Sequence, residues 1–298
     1  MRGTVAHNAH RSAIHWLGIE PGSGAILSAG ADGKVMAWDP AEPEQVRVIA
    51  SLPTPIYCVW QDDRGQRLVV GTSAGELFVL DLVERREVQR IQAHGLGIFS
   101  LAMDRAGHLY SAGGDGTLGV WQWSNGSVDR LELIRRIPLG EAKLRAIAIH
   151  GDQLAVACGD GPVHVLEAGS MNEIATITAH EPGASALVWH PDKPVLLSGG
   201  KDGEVAVWDV RNDFKSLLRI AAHRSTIYHM AFSPDGALLA TASRDKTVKL
   251  WSAKDLESVQ RLDIKAGGHS HSVNALAWNG TDLYTAGDDR RSIRWTVR

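Results

Sequence analysis

Cysteine is almost absent from this 298-residue chain: Cys58 and Cys158 are too few for a disulfide framework, and neither sits in a C-x-x-C pair with metal-ligand spacing. A reducing compartment follows, and cytoplasmic is the expected localisation. Long apolar runs are missing too. No stretch approaches the roughly 18 uninterrupted apolar residues of a membrane span, and Met1 to Ile14 holds no signal-peptide core. The expectation is a soluble, unexported protein with no membrane partner. Asn125-Gly126-Ser127 and Asn279-Gly280-Thr281 match the glycosylation acceptor pattern, but without export they read as turns. Excess charge of one sign is lacking as well: the net charge of −3 gives no bulk attraction to polyanions, so nucleic acid is not the expected partner unless a local patch supplies the cations. Nor is there a G-x-x-x-x-G-K-[ST] loop for nucleotide phosphates.

What the chain does have is a repeat. A small polar run, usually Asp-Gly, then alternating apolar residues ending in Trp or Leu recurs as AGADGKVMAW, GTSAGELFVL, AGGDGTLGVW, ACGDGPVHVL, SGGKDGEVAVW, ASRDKTVKLW and AGDDRRSIRW. These seven copies end at Trp38, Leu80, Trp121, Leu166, Trp208, Trp251 and Trp295, separated by 42, 41, 45, 42, 43 and 44 residues. Each copy reads as strand, turn, strand, because the period-2 alternation of Val205 to Trp208 suits a pleated surface and Gly supplies the turn. Ile227 to Ser233 before Pro-Asp-Gly adds a strand upstream, and Leu217 to Ala221 adds a fourth. Four-stranded units that cannot bury both faces alone stack radially.

The period, the Gly/Ala-His opening and the Trp-Asp close at Trp38-Asp39 and Trp208-Asp209 resemble the WD40 family along the whole chain. The resemblance implies an all-β, seven-bladed β-propeller forming a single domain over residues 1–298. Ring closure is expected from the N-terminal strand: Gly3 to Ala6 precedes Ala9-His10 as a fourth strand would, so residues 1–8 plus 269–298 make the last blade. The alternative is an open β-solenoid with the same repeats, which would need a cap at each end.

Five repeats carry His, then Ser or Thr, then Asp four residues on, then Trp six further: His10/Ser28/Asp32/Trp38, His94/Ser111/Asp115/Trp121, His180/Ser198/Asp202/Trp208, His223/Thr241/Asp245/Trp251 and His269/Thr285/Asp289/Trp295. The types invite a catalytic-triad reading. The family resemblance instead implies a buried chain of hydrogen bonds pinning each blade, and a buried indole and imidazole do need partners. Repeat two has Val70, Ala74 and Leu80 where hydroxyl, Asp and Trp should stand, and no His in Ser51 to Pro55. Repeat four keeps Asp160 but has Val156, Leu166 and Gly140. Blades two and four are therefore expected to be the more mobile part of the ring.

Gly71-Thr-Ser73-Ala-Gly75 matches the G-x-S-x-G nucleophile pattern, but it falls on a strand–strand hairpin instead of a strand-to-helix elbow. His269 and His271 stand two apart, yet no further ligands are nominated. No catalytic residue, metal or cofactor is expected. The resemblance implies function on the loop face. One step after the first apolar residue of each opening strand stand His15, Tyr57, Phe99, Arg145, Ser185, Tyr228 and Asn274, and Lys143, Lys201 and Arg244 add positive charge. Aromatic and Arg side chains are the types that dominate binding hot spots. A non-catalytic protein- or peptide-binding scaffold, monomeric by default, is the leading reading. Nucleic-acid or anionic-ligand binding through Lys143, Arg145, Lys201 and Arg244 is the alternative, and a small-molecule enzyme in the central pocket a third.

Overall fold

The computed structural model describes residues 2–124 and 130–297, so Asn125-Gly126-Ser127 lies outside the described residues. Seven four-stranded antiparallel sheets stand in a ring, each strand hydrogen-bonded to its neighbour in sequence. The chain is a seven-bladed β-propeller. Blade one runs from Ile14–Ile19 outward to Val46–Ser51, and the inner strands of blades two to seven are Ile56–Gln61, Ile98–Met103, Leu144–His150, Ala184–Trp189, Ile227–Phe232 and Val273–Asn279. The seventh sheet takes its outermost strand, Thr4–His7, from the other end of the chain. That strand pairs Thr4 with Arg294, Val5 with Ile293 and His7 with Ser292. The inner strand of blade one packs against that of blade seven, so the ring is closed and the open solenoid is excluded. Asn279 ends the inner strand of blade seven, and Gly280 turns the hairpin with φ +57°.

The second and third strands of each blade are apolar on both faces because each sheet is sandwiched between two others. In blade five, Val195, Leu197, Val205 and Val207 pack onto Ile227, Met230, Leu239 and Trp251 of blade six. The core is thus divided into layers between blades, each buried Val, Leu, Ile or Met there stabilising the ring by about 1.5–3 kcal/mol. Outermost strands such as Lys215–Ala221 are mostly exposed, and charges like those of Arg86, Glu87 and Arg90 keep such edges from pairing with another chain. Among the described residues no helix is long and apolar enough to cross a membrane.

One irregularity repeats in all seven inner strands. Ile14 pairs with Gly30 and Trp16 with Ala29, which leaves His15 without a partner on the second strand. The same shift passes over Tyr57, Phe99, Arg145, Ser185, Tyr228 and Asn274. A bulge of this kind bends the strand and re-aims the extra residue. Seven side chains are thereby released from the ladder at the same level of the ring.

Candidate functional site

The His/Ser/Asp/Trp sets form hydrogen-bonded chains. In blade five the Trp208 indole donates to Ser198 Oγ (2.8 Å), Ser198 Oγ lies 2.8 Å from His180 Nε2, and His180 Nδ1 lies 2.8 Å from Asp202. The chains through Trp121–Ser111–His94–Asp115, Trp251–Thr241–His223–Asp245 and Trp295–Thr285–His269–Asp289 repeat it, with every link between 2.7 and 3.1 Å. The polarity is consistent when Nδ1 carries the proton and Nε2 accepts from the hydroxyl. Burial alone would raise the Asp245 carboxyl, but hydrogen bonds from His223, Thr247 and the Arg224 N–H hold it well below the usual carboxylate range. The Asp also ties down the chain just after the His, accepting from Arg11, Gly95, Arg224 and Ser270 backbone N–H groups. These units cannot act as catalytic triads as they stand. Ser28, Ser111, Ser198, Thr241 and Thr285 have 0% exposure, so no hydroxyl can reach a substrate.

Blade one departs from the expected tetrad. His10 bonds Ser28 (2.8 Å) and Asp32 (3.0 Å), but the Trp38 indole N–H is buried without a hydrogen-bond partner. The closing strand lays His7 flat on that indole, ring centroids 4.4 Å apart and planes 11° from parallel. In blade two, Val70 and Leu80 pack in an apolar layer with Phe78, and Glu76 pairs with Arg90 at 2.6 Å. Val156 and Leu166 of blade four are likewise core residues.

The seven bulged residues converge on a cavity of about 330 Å³ on the ring axis, which Asp288 also lines. A neighbouring cavity of about 410 Å³ shares Arg145, Ser185 and Tyr228 with it and adds Lys143, Lys201 and Arg244. All ten residues picked out in the sequence therefore meet at one mouth. Asp288 joins them without having been singled out, and Ala142, Gly159 and Thr226 line the second cavity with no chemical signal to announce them.

These residues are not equivalent. His15 Nδ1 lies 2.9 Å from Ile56 O, Ser185 Oγ donates to Ile227 O at 2.7 Å, and Asn274 Nδ2 donates to Ile14 O at 3.0 Å. Each bond runs from one blade to the first inner-strand carbonyl of the next. Where the bulged residue cannot make it, the following residue links the blades: Cys58 donates to Ile98 O, Ser100 accepts from Ile147 N–H and His229 from Leu276 N–H. His229 accepts through Nδ1 as a neutral ring, and burial lowers its pKa to about 4. The boundary between blades four and five is bridged differently, by Lys201 Nζ donating to Gly159 O at 2.5 Å.

Tyr57, Phe99, Arg145 and Tyr228 are left over. Tyr57 stacks on Phe99 with centroids 5.2 Å apart, and His15 meets Tyr57 edge-on at 5.2 Å. The Arg145 guanidinium lies 4.4 Å over the other part of this stack, on Phe99, with Lys143 Nζ 5.7 Å from the same ring. Burial lowers the Arg145 pKa, and the phenols of Tyr228 and Tyr57 offset this only in part. Among the described residues, Arg145 has no hydrogen bond or carboxylate partner, and neither tyrosine hydroxyl has a hydrogen bond.

The remaining motifs fall outside the mouth's chemistry. Ser73 sits in the hairpin turn, where its N–H bonds Pro55 O. His271 is exposed and bonds Ser270, and among the described residues no three His, Cys, Asp or Glu side chains gather as a metal would require.

The family described as "WD domain, G-beta repeat" matches residues 85–122, 171–209 and 214–252. Each match starts at or near the outermost strand of one blade and ends with the third strand of the next, so the sequence repeat is staggered against the structural blade. The chain is similar to human WD repeat-containing protein 90, 26% identical over 213 residues that make up 70% of this chain and 12% of that protein. It is similar to Arabidopsis thaliana WD repeat-containing protein ATCSA-1, 22% identical across 97% of this chain and 73% of that protein. Human THO complex subunit 6 is 28% identical over 166 residues, 49% of this chain and 48% of that protein. The chain thus spans only a small fraction of some of these larger relatives, 8% in the case of Xenopus tropicalis WD repeat-containing protein 90.

Proposed function

We propose that this seven-bladed β-propeller, which the WD40 repeat family matches in three places, works as a non-catalytic scaffold that receives a peptide segment of a protein partner at the axial mouth of its loop face. One observation carries the reading. Of the seven side chains the bulges release, four make no hydrogen bond to another part of the ring among the described residues: Tyr57, Phe99, Arg145 and Tyr228. Fixed aromatic surface and a forked cation bind at small entropic cost because the scaffold has already ordered them. The name of THO complex subunit 6 places that relative in an assembly, which supports an assembly role. A monomeric ring in the cytoplasm, with no metal or cofactor, completes the proposal.

Affinity capture from the source cell tests it, with wild type beside a Tyr57/Phe99/Arg145/Tyr228→Ala variant of unchanged melting temperature. Partners lost only by the variant support the mouth. Identical partner sets move the functional surface to the blade sides or the opposite face.

A further inference from the structure

The mouth is electrically lopsided. On one side Arg145 is stacked on Phe99 with Lys143 above the same ring, and Lys201 and Arg244 line the adjoining cavity. On the other side Asp288 is the acidic lining residue, and its Oδ1 already accepts from Asn274 Nδ2 at 2.8 Å. Arg145 differs from two other part-buried arginines, Arg291 and Arg294. Arg291 is paired with Asp289 at 2.7 Å and Arg294 with Asp282 at 2.6 Å, whereas Arg145 has neither anion nor carbonyl. A part-buried guanidinium already held in place by a ring stack keeps its forked N–H donors free, and an incoming anion gains paired N–H···O bonds there. The Tyr57 and Tyr228 hydroxyls line the same cavity as Arg145 and are two further donors without acceptors.

Resting on the peptide-scaffold reading above, we infer that the mouth selects an extended peptide bearing one anionic side chain, whose oxygens are gripped by Arg145 with Tyr57 and Tyr228 beside it, while an adjacent apolar side chain lies on the Tyr57–Phe99 stack. The anion is a carboxylate or a phosphoryl group on the peptide. A polynucleotide fits less well: the cations occupy one side only, Asp288 stands on the far side, and the chain carries a net charge of −3. Arg145 is also the bulged residue at the blade boundary whose inner strands share no side-chain hydrogen bond, only the His150–Trp189 stack at their other end (centroids 5.8 Å), so occupying it with a ligand breaks no hydrogen bond of the ring.

The test is selection of random heptapeptides from a display library on the intact protein, with counter-selection on Arg145→Gln. Arg145 makes no hydrogen bond or ion pair in the ring, only its stack on Phe99, so this variant should melt within a few degrees of wild type; Arg145→Lys keeps the charge but loses the fork. The expected result is enrichment of Asp or Glu at one position beside an aromatic or aliphatic residue. Synthetic versions with that acid changed to Gln should bind roughly tenfold weaker or worse, and the loss should vanish on Arg145→Gln. A phosphoserine version separates the two anion sources: tighter binding than the carboxylate assigns the phosphoryl group, weaker binding the carboxylate. Neutral peptides that bind and are lost on Tyr57/Phe99/Tyr228→Ala would overturn the anion inference and leave the scaffold reading intact. No recovered peptide from either protein would overturn both. A labelled single-stranded DNA 12-mer that binds more tightly than any peptide, with a steep salt dependence, would replace the peptide by a polyanion.

Discussion

Trp38 and Trp121 invite the same substitution with different results. Both indoles are buried, at 1% and 2% exposure, and both lie on the third strand of a blade. Trp121 donates to Ser111 Oγ at 2.9 Å, whereas the Trp38 N–H has no partner. Replacing either by Phe removes a similar amount of buried ring, so that cost cancels in the comparison. Trp121→Phe additionally loses a hydrogen bond, about 1 kcal/mol. Trp38→Phe removes a buried unsatisfied donor, a gain of about 1–3 kcal/mol, less about 0.5–1 kcal/mol of weakened stacking on His7. Trp121→Phe should therefore be the more destabilising by about 2 kcal/mol. At roughly 2.1 cal/mol/K of unfolding entropy per residue over 298 residues, that separates the two melting temperatures by about 3 °C. Scanning calorimetry of both variants beside wild type measures it, with urea unfolding as a second readout. Equal losses, or a larger loss for Trp38→Phe, would refute the claim that the hydroxyl-bonded indoles are what sets these blades apart from blade one.

The closing strand should make the ring acid-sensitive. Burial lowers His7 from 6.5 to about 4, so between those values the unfolded chain binds the proton and the folded one does not; stability is whole above about pH 6.5 and falls by about 2–3 kcal/mol as pH drops to 4. His229 titrates in the same window, so the measurement is the difference between wild type and His7→Phe in urea midpoints from pH 7.5 to 4.5; parallel curves would sink it. Gly200→Ala places a Cβ 2.4 Å from both His180 Cγ and Asp202 Oδ1, and should cost blade five about 2–3 kcal/mol by prising that pair apart; a melting temperature like that of wild type would contradict this. Lacking the tetrads, the loops at residues 52–55 and 139–143 should exchange their amides faster than residues 92–97 ahead of blade three, and uniform protection by mass spectrometry would count against it.

Much of this architecture could be read before any coordinates, because its signals are local and repeated. A tetrad shows itself in four distinctive residue types at fixed spacing, and the mouth follows from counting one step past the first apolar residue of each repeat. What escaped the sequence lies between repeats. That His15, Ser185 and Asn274 spend their polar atoms on the next blade, while Tyr57, Phe99, Arg145 and Tyr228 do not, depends on carbonyls about 42 residues away, or on the far side of the ring closure. Trp38 matched the pattern in full yet stays unbonded, and the ring stacked on it is His7, contributed by a strand that the repeat containing Trp38 does not include. The bulge leaves no mark of its own, since no residue type is shared by its seven positions.

The pairing of Thr4 with Arg294 also sets an order of events during synthesis. Thr4–His7 finds its partner only after about 290 further residues have been translated, at a few to twenty residues per second. For most of that time Thr4–His7 is an edge without a sheet, and Trp38 lacks the ring that will cover it. Nascent chains must carry this loose end through the folding of six blades, so the hazard falls on the last blade: a chain cut short before Ser292 leaves six finished sheets and an unclosed ring for the cell's quality control to find.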